Sequence, residues 1–405
     1  MKKIFKIGPG TLVTAAFIGP GTVTVCTLAG VQFGYTLLWA LVLSITACVV
    51  LQEMAARLGV VTQKGLSEVL KSQFENKVIR WILIALILSA IFVGNAAYEA
   101  GNISGGVLGL STILDGTPLD PQNYSINYLP IVIGIIAFIL LYIGNYKMLE
   151  RSLIVLVLLM SVAFIVTAIA TKPDISDMLS GFVPDMDTEK LLMIVGLVGT
   201  TVVPYNLFLH ASIVSEKWKS KEELPEARKD TVVSIILGGI VSMAIIIAGA
   251  AIQSEEISNT ADLAKSLEPV FGATAKYVLA IGLFAAGITS AITAPLAAAY
   301  VVKGCLGWKD GLKSNSFRLV WMFILLLGVL FSSLGIKSIM IIQFAQIANG
   351  LLLPIIATFL VWVMNRRKIL GDYTNSWKQN IVGIFIVIIA FFLGIRGVWK
   401  VFENM

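Results

Sequence analysis

The chain reads as an all-α membrane protein, a bundle of eleven spanning helices laid out as two inverted repeats of five with one helix added. Three observations predict this. Of 405 residues, 57% are apolar and 13% charged, against roughly 25% charged in a soluble domain, and the mean hydropathy is +0.89. Apolar runs of about 20 residues, the length that crosses a bilayer as helix, recur along the whole sequence. Two of the runs are interrupted, at Ile18-Gly19-Pro20-Gly21-Thr22 and at Val202-Val203-Pro204-Tyr205-Asn206. In hydrocarbon each unpaired N–H or C=O costs several kcal/mol, so such breaks persist only where they are buried in protein or line a polar cavity.

The runs fall near 10–34, 37–56, 81–110, 128–145, 151–171, 191–214, 231–252, 272–302, 317–334, 338–364 and 381–399. Met1-Lys2-Lys3 before an apolar run is the start of a signal peptide in outline, but the run is long, broken by Gly-Pro-Gly and without a small-residue cleavage site, so it is read as span 1. The interrupted runs are spans 1 and 6. Five spans separate equivalent points, which makes spans 1–5 and 6–10 topologically inverted copies. Paired interruptions of this kind mark a transporter's site near mid-membrane. The expected organisation is therefore one transmembrane domain over 1–405, with a first repeat at about 8–171, a second at about 190–364 and an extra helix at about 381–402. Small residues crowd span 8, from Ala285 to Ala299, and predict a close-packing face. Pro354 in span 10 follows Gln346 and Asn349, two amides inside an apolar run.

With the N-terminus inside, 23 of 30 Lys and Arg fall in inner loops. That bias predicts a cytoplasmic N-terminus and, for an odd number of spans, an external C-terminus. Asp115, Asp120, Asp174, Asp177, Asp185, Asp187 and Glu189 make two outer loops acidic; they concentrate cations or are ordinary solvated loops. The net charge of +6 follows from membrane orientation and gives no reason to expect nucleic acid. Cys26, Cys48 and Cys305 have no metal or redox spacing and read as small core residues. No nucleophile–base pair, phosphate loop or catalytic metal triad is present, so neither an enzyme nor a bound cofactor is expected. The expected partners are the lipid bilayer and a small ion or molecule.

Four stretches carry a family resemblance: Leu51 through Thr62 in span 2, Val198 through His210 in span 6, Leu283 through Ser290 in span 8 and Gln346 through Pro354 in span 10. Over nearly its full length the chain resembles the natural resistance-associated macrophage protein (Nramp) transporters. That resemblance implies a LeuT-like fold and import of divalent metals in symport with protons. It places the cargo site at Gly19, Thr22, Thr200, Val203, Asn206 and Gln346, and a proton or coupling route at Glu99, Tyr205, His210 and Arg318.

The departures fall on the chemistry. The family's span-1 motif Asp-Pro-Gly-Asn is matched with Gly19 for the Asp and Thr22 for the Asn. The span-6 Met is matched by Val203, the Ala before it by Thr200 and the following His by Tyr205. An Asp in span 3 is matched by Ala96, leaving Glu99 alone, and a pair of Arg in span 9 is reduced to Arg318. A partly dehydrated divalent ion needs anionic or several oxygen ligands, and a thioether selects soft transition metals. No certain metal ligand remains. Thr22, Thr200 and Asn206 are weak neutral oxygen donors. Three functions stay open: transport of a divalent metal shifted toward a Mg-like or weakly held ion, transport of a small organic or anionic solute on the bare helix N-terminus of span 1, and a relative that no longer transports. Glu99 is a proton carrier or a packed partner of Arg318 or a hydroxyl. His210, the sole His, is a route residue or hydrogen-bonds within the bundle.

Overall fold

The computed structural model describes residues 18–73, 76–124, 127–144, 147–252, 257, 259–308 and 313–403, and no strand occurs among them. Nine helices among these residues are long and apolar enough to cross a membrane. The shorter helix Leu129–Ile143 and the helix Pro20–Phe33, which is all of span 1 that lies within the described residues, complete eleven spans. Spans 2 to 5 are Leu38–Thr62, Lys77–Leu114, Leu129–Ile143 and Lys147–Ala170; spans 7 to 11 are Leu224–Ala250, Ala275–Leu306, Asn315–Ser332, Ser338–Met364 and Trp377–Glu403. The N-terminal half expected for span 1 lies outside the described residues.

Span 6 is two helices, Leu191–Thr201 and Pro204–Lys217. Between them Val202 (φ −105°, ψ 74°) and Val203 (φ −74°, ψ 119°) leave the helical region. Pro204 is the cause: it has no N–H to continue the ladder and its ring excludes α geometry at the preceding residue. Gly19 is likewise extended (φ −95°, ψ −176°) and Pro20 opens the helix that follows, the position where a missing N–H costs nothing. Proline alone does not break a span. Pro295 and Pro354 lie inside continuous helices of spans 8 and 10.

Glycines set how closely the central helices cross. A Cβ on Gly287 of span 8 would stand 2.4 Å from the Gly106 backbone N of span 3, and one on Gly105 would stand 2.1 Å from Cβ of Pro20. Without a hydrophobic drive between helices in lipid, such small-residue contacts supply the packing. The small face of span 8 is buried as expected, with Ala285, Ala286, Ala291, Ala294 and Ala297 to Ala299 all within the core. Span 6 is enclosed on nearly all sides, whereas span 4 exposes Ile131, Ile135 and Ile139, and span 11 Ile381, Ile384, Phe385 and Ile388. Span 3 holds 38 residues. At 1.5 Å each that is about 57 Å, nearly twice the roughly 30 Å hydrocarbon layer, so it tilts or protrudes.

At one end of the bundle Arg57 of span 2 is 2% exposed. Its guanidinium donates to Glu53 at 3.2 Å, to Asn375 Oδ1 at 2.6 Å and to the Tyr373 carbonyl at 3.1 Å, while Glu53 accepts from Arg228 Nε of span 7 at 2.7 Å. Span 2, span 7 and the turn between spans 10 and 11 are thereby joined through Glu53 and two cations, Arg57 and Arg228. Removing Arg57 leaves the partly buried Asn375 amide oxygen and Tyr373 carbonyl without this donor. Arg57→Ala is expected to cost about 3 kcal/mol, read as lost thermal stability in detergent, and Arg57→Lys, lacking the planar fork, restores little of it.

The acids of the two loops expected outside are largely engaged locally. Asp174 accepts from the backbone N–H groups of Ser176 and Asp177, and Asp120 from those of Gly116 and Gln122. Asp185 pairs with Lys190, whose ammonium holds its carboxyl below the usual carboxylate range. The ordinary-loop reading of these residues accounts for their contacts.

Candidate functional site

The two breaks meet. The Thr22 hydroxyl, one turn past Gly19, lies 2.8 Å from the Thr200 hydroxyl, just before the span 6 break, and both residues are buried. Hydroxyl chemistry allows either to donate. Span 10 closes over both breaks at Gln346. A Cβ on Gly21 would fall 2.3 Å from the Gln346 side-chain nitrogen, and one on Gly199 would fall 1.8 Å from the Gln346 carbonyl oxygen. Glycine is required at Gly199, where a larger residue would strike the span 10 backbone, whereas at Gly21 it leaves room for the Gln346 side chain. The neighbouring Gly350 admits the Val195 carbonyl in the same way, at 2.5 Å from a Cβ built there.

On the elements that meet near this junction, several buried polar atoms are unpaired. Asn206 Oδ1, Gln346 Oε1, the Asn349 amide nitrogen, the Ser290 hydroxyl and the Tyr205 hydroxyl have no hydrogen-bond partner among the described residues. All five residues lie on spans 6, 8 and 10. Most buried polar groups in folded proteins are satisfied, so a cluster of orphans calls for a partner such as an ion or water. The cluster contains no carboxylate and no sulfur. Val203, at the position of the family's thioether, is 1% exposed and supplies only methyl groups. Among the described residues no group of three or more His, Cys, Asp or Glu is placed to hold a metal. The three cysteines are buried and free.

The residues grouped as a coupling route separate in space. Glu99 is fully buried on span 3; one oxygen accepts from the Asn102 amide at 3.3 Å, the other has no partner, and its side chain lies against Gly328 of span 9, where a Cβ would come within 2.4 Å of Cγ. Arg318 does not reach it. Arg318 stands ten residues earlier on span 9, about 15 Å along the helix, and stacks over the Tyr142 ring at 4.4 Å. Asn102 takes the place of the Arg318 partner expected from sequence. Ala96, one turn before Glu99, lines an apolar cavity of about 580 Å³ between spans 3, 9 and 10, walled by Phe92, Leu327, Phe331 and Phe344.

His210 is held inside the bundle. Its Nδ1 lies 2.7 Å from Gln52 Oε1 of span 2 and its Nε2 3.4 Å from the Thr231 hydroxyl of span 7. Sequence reasoning missed both partners, although Gln52 sits in the span 2 stretch that carries the resemblance. It also passed over Tyr98, whose ring meets Tyr205 edge to face at 5.3 Å. A tyrosine in an apolar span beside the only acid there was the available signal.

Comparison with known proteins agrees with this geometry. The family model described as natural resistance-associated macrophage protein-like matches residues 10–400. The divalent metal cation transporter MntH of Bradyrhizobium diazoefficiens is 27% identical over 94% of this chain and 87% of its own length, and MntH of Staphylococcus saprophyticus is 26% identical over 100% and 94%. Among solved structures, a manganese transporter of Eremococcus coleocola superposes with a TM-score of 0.77 at 20% identity, covering 97% of this chain and 85% of that one. MhsT bound to L-phenylalanine gives 0.64 at 14% identity, covering 99% of each chain. The fold is the LeuT-like inverted repeat with span 6 broken and Gly19 extended before the described helix of span 1, the relatives are membrane transporters of metal ions rather than enzymes, and this chain belongs to the natural resistance-associated macrophage protein (Nramp) family.

Proposed function

We propose that this protein moves a hard, hydrated divalent cation of the Mg²⁺ type, held weakly by neutral oxygens where spans 1, 6 and 10 meet, and that its movement is not tied to protons. The carrying observation is the donor set. Thr22 and Thr200 touch, Asn206 Oδ1 and Gln346 Oε1 are buried without partners, and neither Gly19 nor Val203 offers an anion or sulfur. Mg²⁺ gives up its waters reluctantly and keeps several when bound, so a few neutral oxygens around a partly hydrated ion suit it. Without thiolate, thioether or imidazole the preference for Mn, Fe or Cd is gone.

The reading of an anionic solute on the span 1 helix N-terminus is disfavoured by Gln346. Its amide lies directly over Gly21, in the space an anion would need to approach the free N–H groups. The absence of proton coupling rests on Glu99, which has neither a basic partner nor a polar neighbour at Ala96, and on Tyr205 in place of a group that titrates near neutral pH. The repeats run over about 8–171 and 190–364, the N-terminus is cytoplasmic and the C-terminus external, as the inner-loop bias of 23 in 30 cations requires.

Uptake by the protein reconstituted into vesicles tests the reading. Mg²⁺ influx is expected, with half-saturation in the range of a weak site, and Thr200→Ala is expected to lower it roughly fivefold, the worth of one hydrogen-bonding group. A flat response to Mg²⁺, Mn²⁺ and Cd²⁺ alike would remove the metal reading.

A further inference from the structure

We infer that Tyr98 and Tyr205 form the barrier that closes the cargo site toward the end of span 6 at Lys217. This rests on the transport reading above. The two rings are buried, at 1% and 0% exposure, and meet edge to face with centroids 5.3 Å apart and planes at 70°. Their places in the chain give the contact its meaning. Tyr205 is the second residue of the helix Pro204–Lys217 and stands next to Asn206, so its ring is mounted on the broken segment itself. Tyr98 sits near the middle of span 3, beside Glu99, and span 3 is packed closely against span 10 at Gly94 and Gly101, span 1 at Gly105 and span 8 at Gly109.

One ring therefore belongs to the element whose hinge is the Val202–Val203 break, and the other to a helix packed too closely to shift alone. Alternating access is rigid-body rocking of one bundle against another around a fixed site. Any such movement of the helix after the break separates these rings first. The contact is specific in geometry and modest in strength, as a barrier that must open in every cycle requires. A hydrated ion cannot pass between rings at this separation.

The test reads accessibility rather than cargo, so it fails or succeeds independently of the ion carried. In a background with Cys26, Cys48 and Cys305 replaced by alanine, Asn206→Cys is labelled by an impermeant thiol reagent applied from the face where Lys217 ends span 6. Tyr98→Ala is expected to raise the labelling rate about fivefold or more, and Tyr98→Phe, which keeps the ring, to leave it at the parental rate. Tyr205→Leu should match Tyr98→Ala, and the double variant should exceed neither single by much, because each alone removes the contact. If Tyr98→Ala is not recovered folded, Tyr98→Leu carries the same test. Parental labelling in the ring-deleted variants, or equal acceleration by Tyr98→Phe, would overturn the assignment. A merely structural role would lower thermal stability in these variants without this dependence on the ring.

Discussion

Gly19→Asp combined with Val203→Met is expected to give a protein that binds Mn²⁺ or Cd²⁺ about 100-fold more tightly than the parent, equivalent to roughly 2.7 kcal/mol. The backbone already accepts both changes. Gly19 has a negative φ of −95° and caps the helix from Pro20, a position where Asp is among the preferred residues and its charge is favoured by the helix dipole. Val203 lies in the extended link of span 6, so a longer thioether reaches inward without entering a helix ladder. The added carboxylate supplies the anion that the present oxygens lack, and the sulfur restores the preference for soft ions. Val203 is 1% exposed, and the larger Met costs about 1–3 kcal/mol of stability through overpacking. Calorimetric titration with Mn²⁺, Cd²⁺ and Mg²⁺ decides the matter. Unchanged Mn²⁺ and Cd²⁺ affinity in the folded double variant would show that the two breaks do not enclose the metal.

Glu99→Gln is expected to leave metal uptake within about twofold of the parent, with no change in its weak dependence on pH between about 5 and 8. The physical reason is isolation. Glu99 is buried, accepts one long hydrogen bond from Asn102, packs on Gly328 and meets no Lys, Arg or His among the described residues. A relay needs neighbours that exchange protons, and those nearest along span 3 are Ala96 at an apolar cavity and Tyr98 in a ring contact. The isosteric amide can still accept from Asn102 and carries no charge to desolvate, so stability is expected to rise by about 1 kcal/mol. A pH-sensitive dye inside the vesicles checks the flux. Acidification that accompanies uptake in the parent and vanishes in Glu99→Gln would make this carboxyl the proton carrier after all.

The fold was legible because lipid leaves few options. Apolar runs of spanning length had to be helices, because backbone groups in hydrocarbon must pair within the segment, and the Pro204 interruption read from sequence is present. The site was legible only in part. The chemical losses at Gly19 and Val203 can be read from residue type, whereas pairings could not be. Arg318 was expected near Glu99 and stacks on Tyr142 instead, because a helix pair's register decides which residues meet, and nothing local in either sequence encodes it. Pro354 lies within continuous helix while Pro204 opens a new one; residue type alone did not distinguish the two.

What the amino-acid sequence determined by itself was the set of spans, the two breaks and the poverty of the donor set, all consequences of backbone hydrogen bonding in hydrocarbon and of the side chains present. What only the tertiary structure decided was which groups share a space: Thr22 on Thr200, Gln346 across Gly21 and Gly199, His210 between Gln52 and Thr231, and Tyr98 against Tyr205. These contacts join residues far apart in the chain, and they follow from how closely glycines let helices approach, a property of two surfaces together.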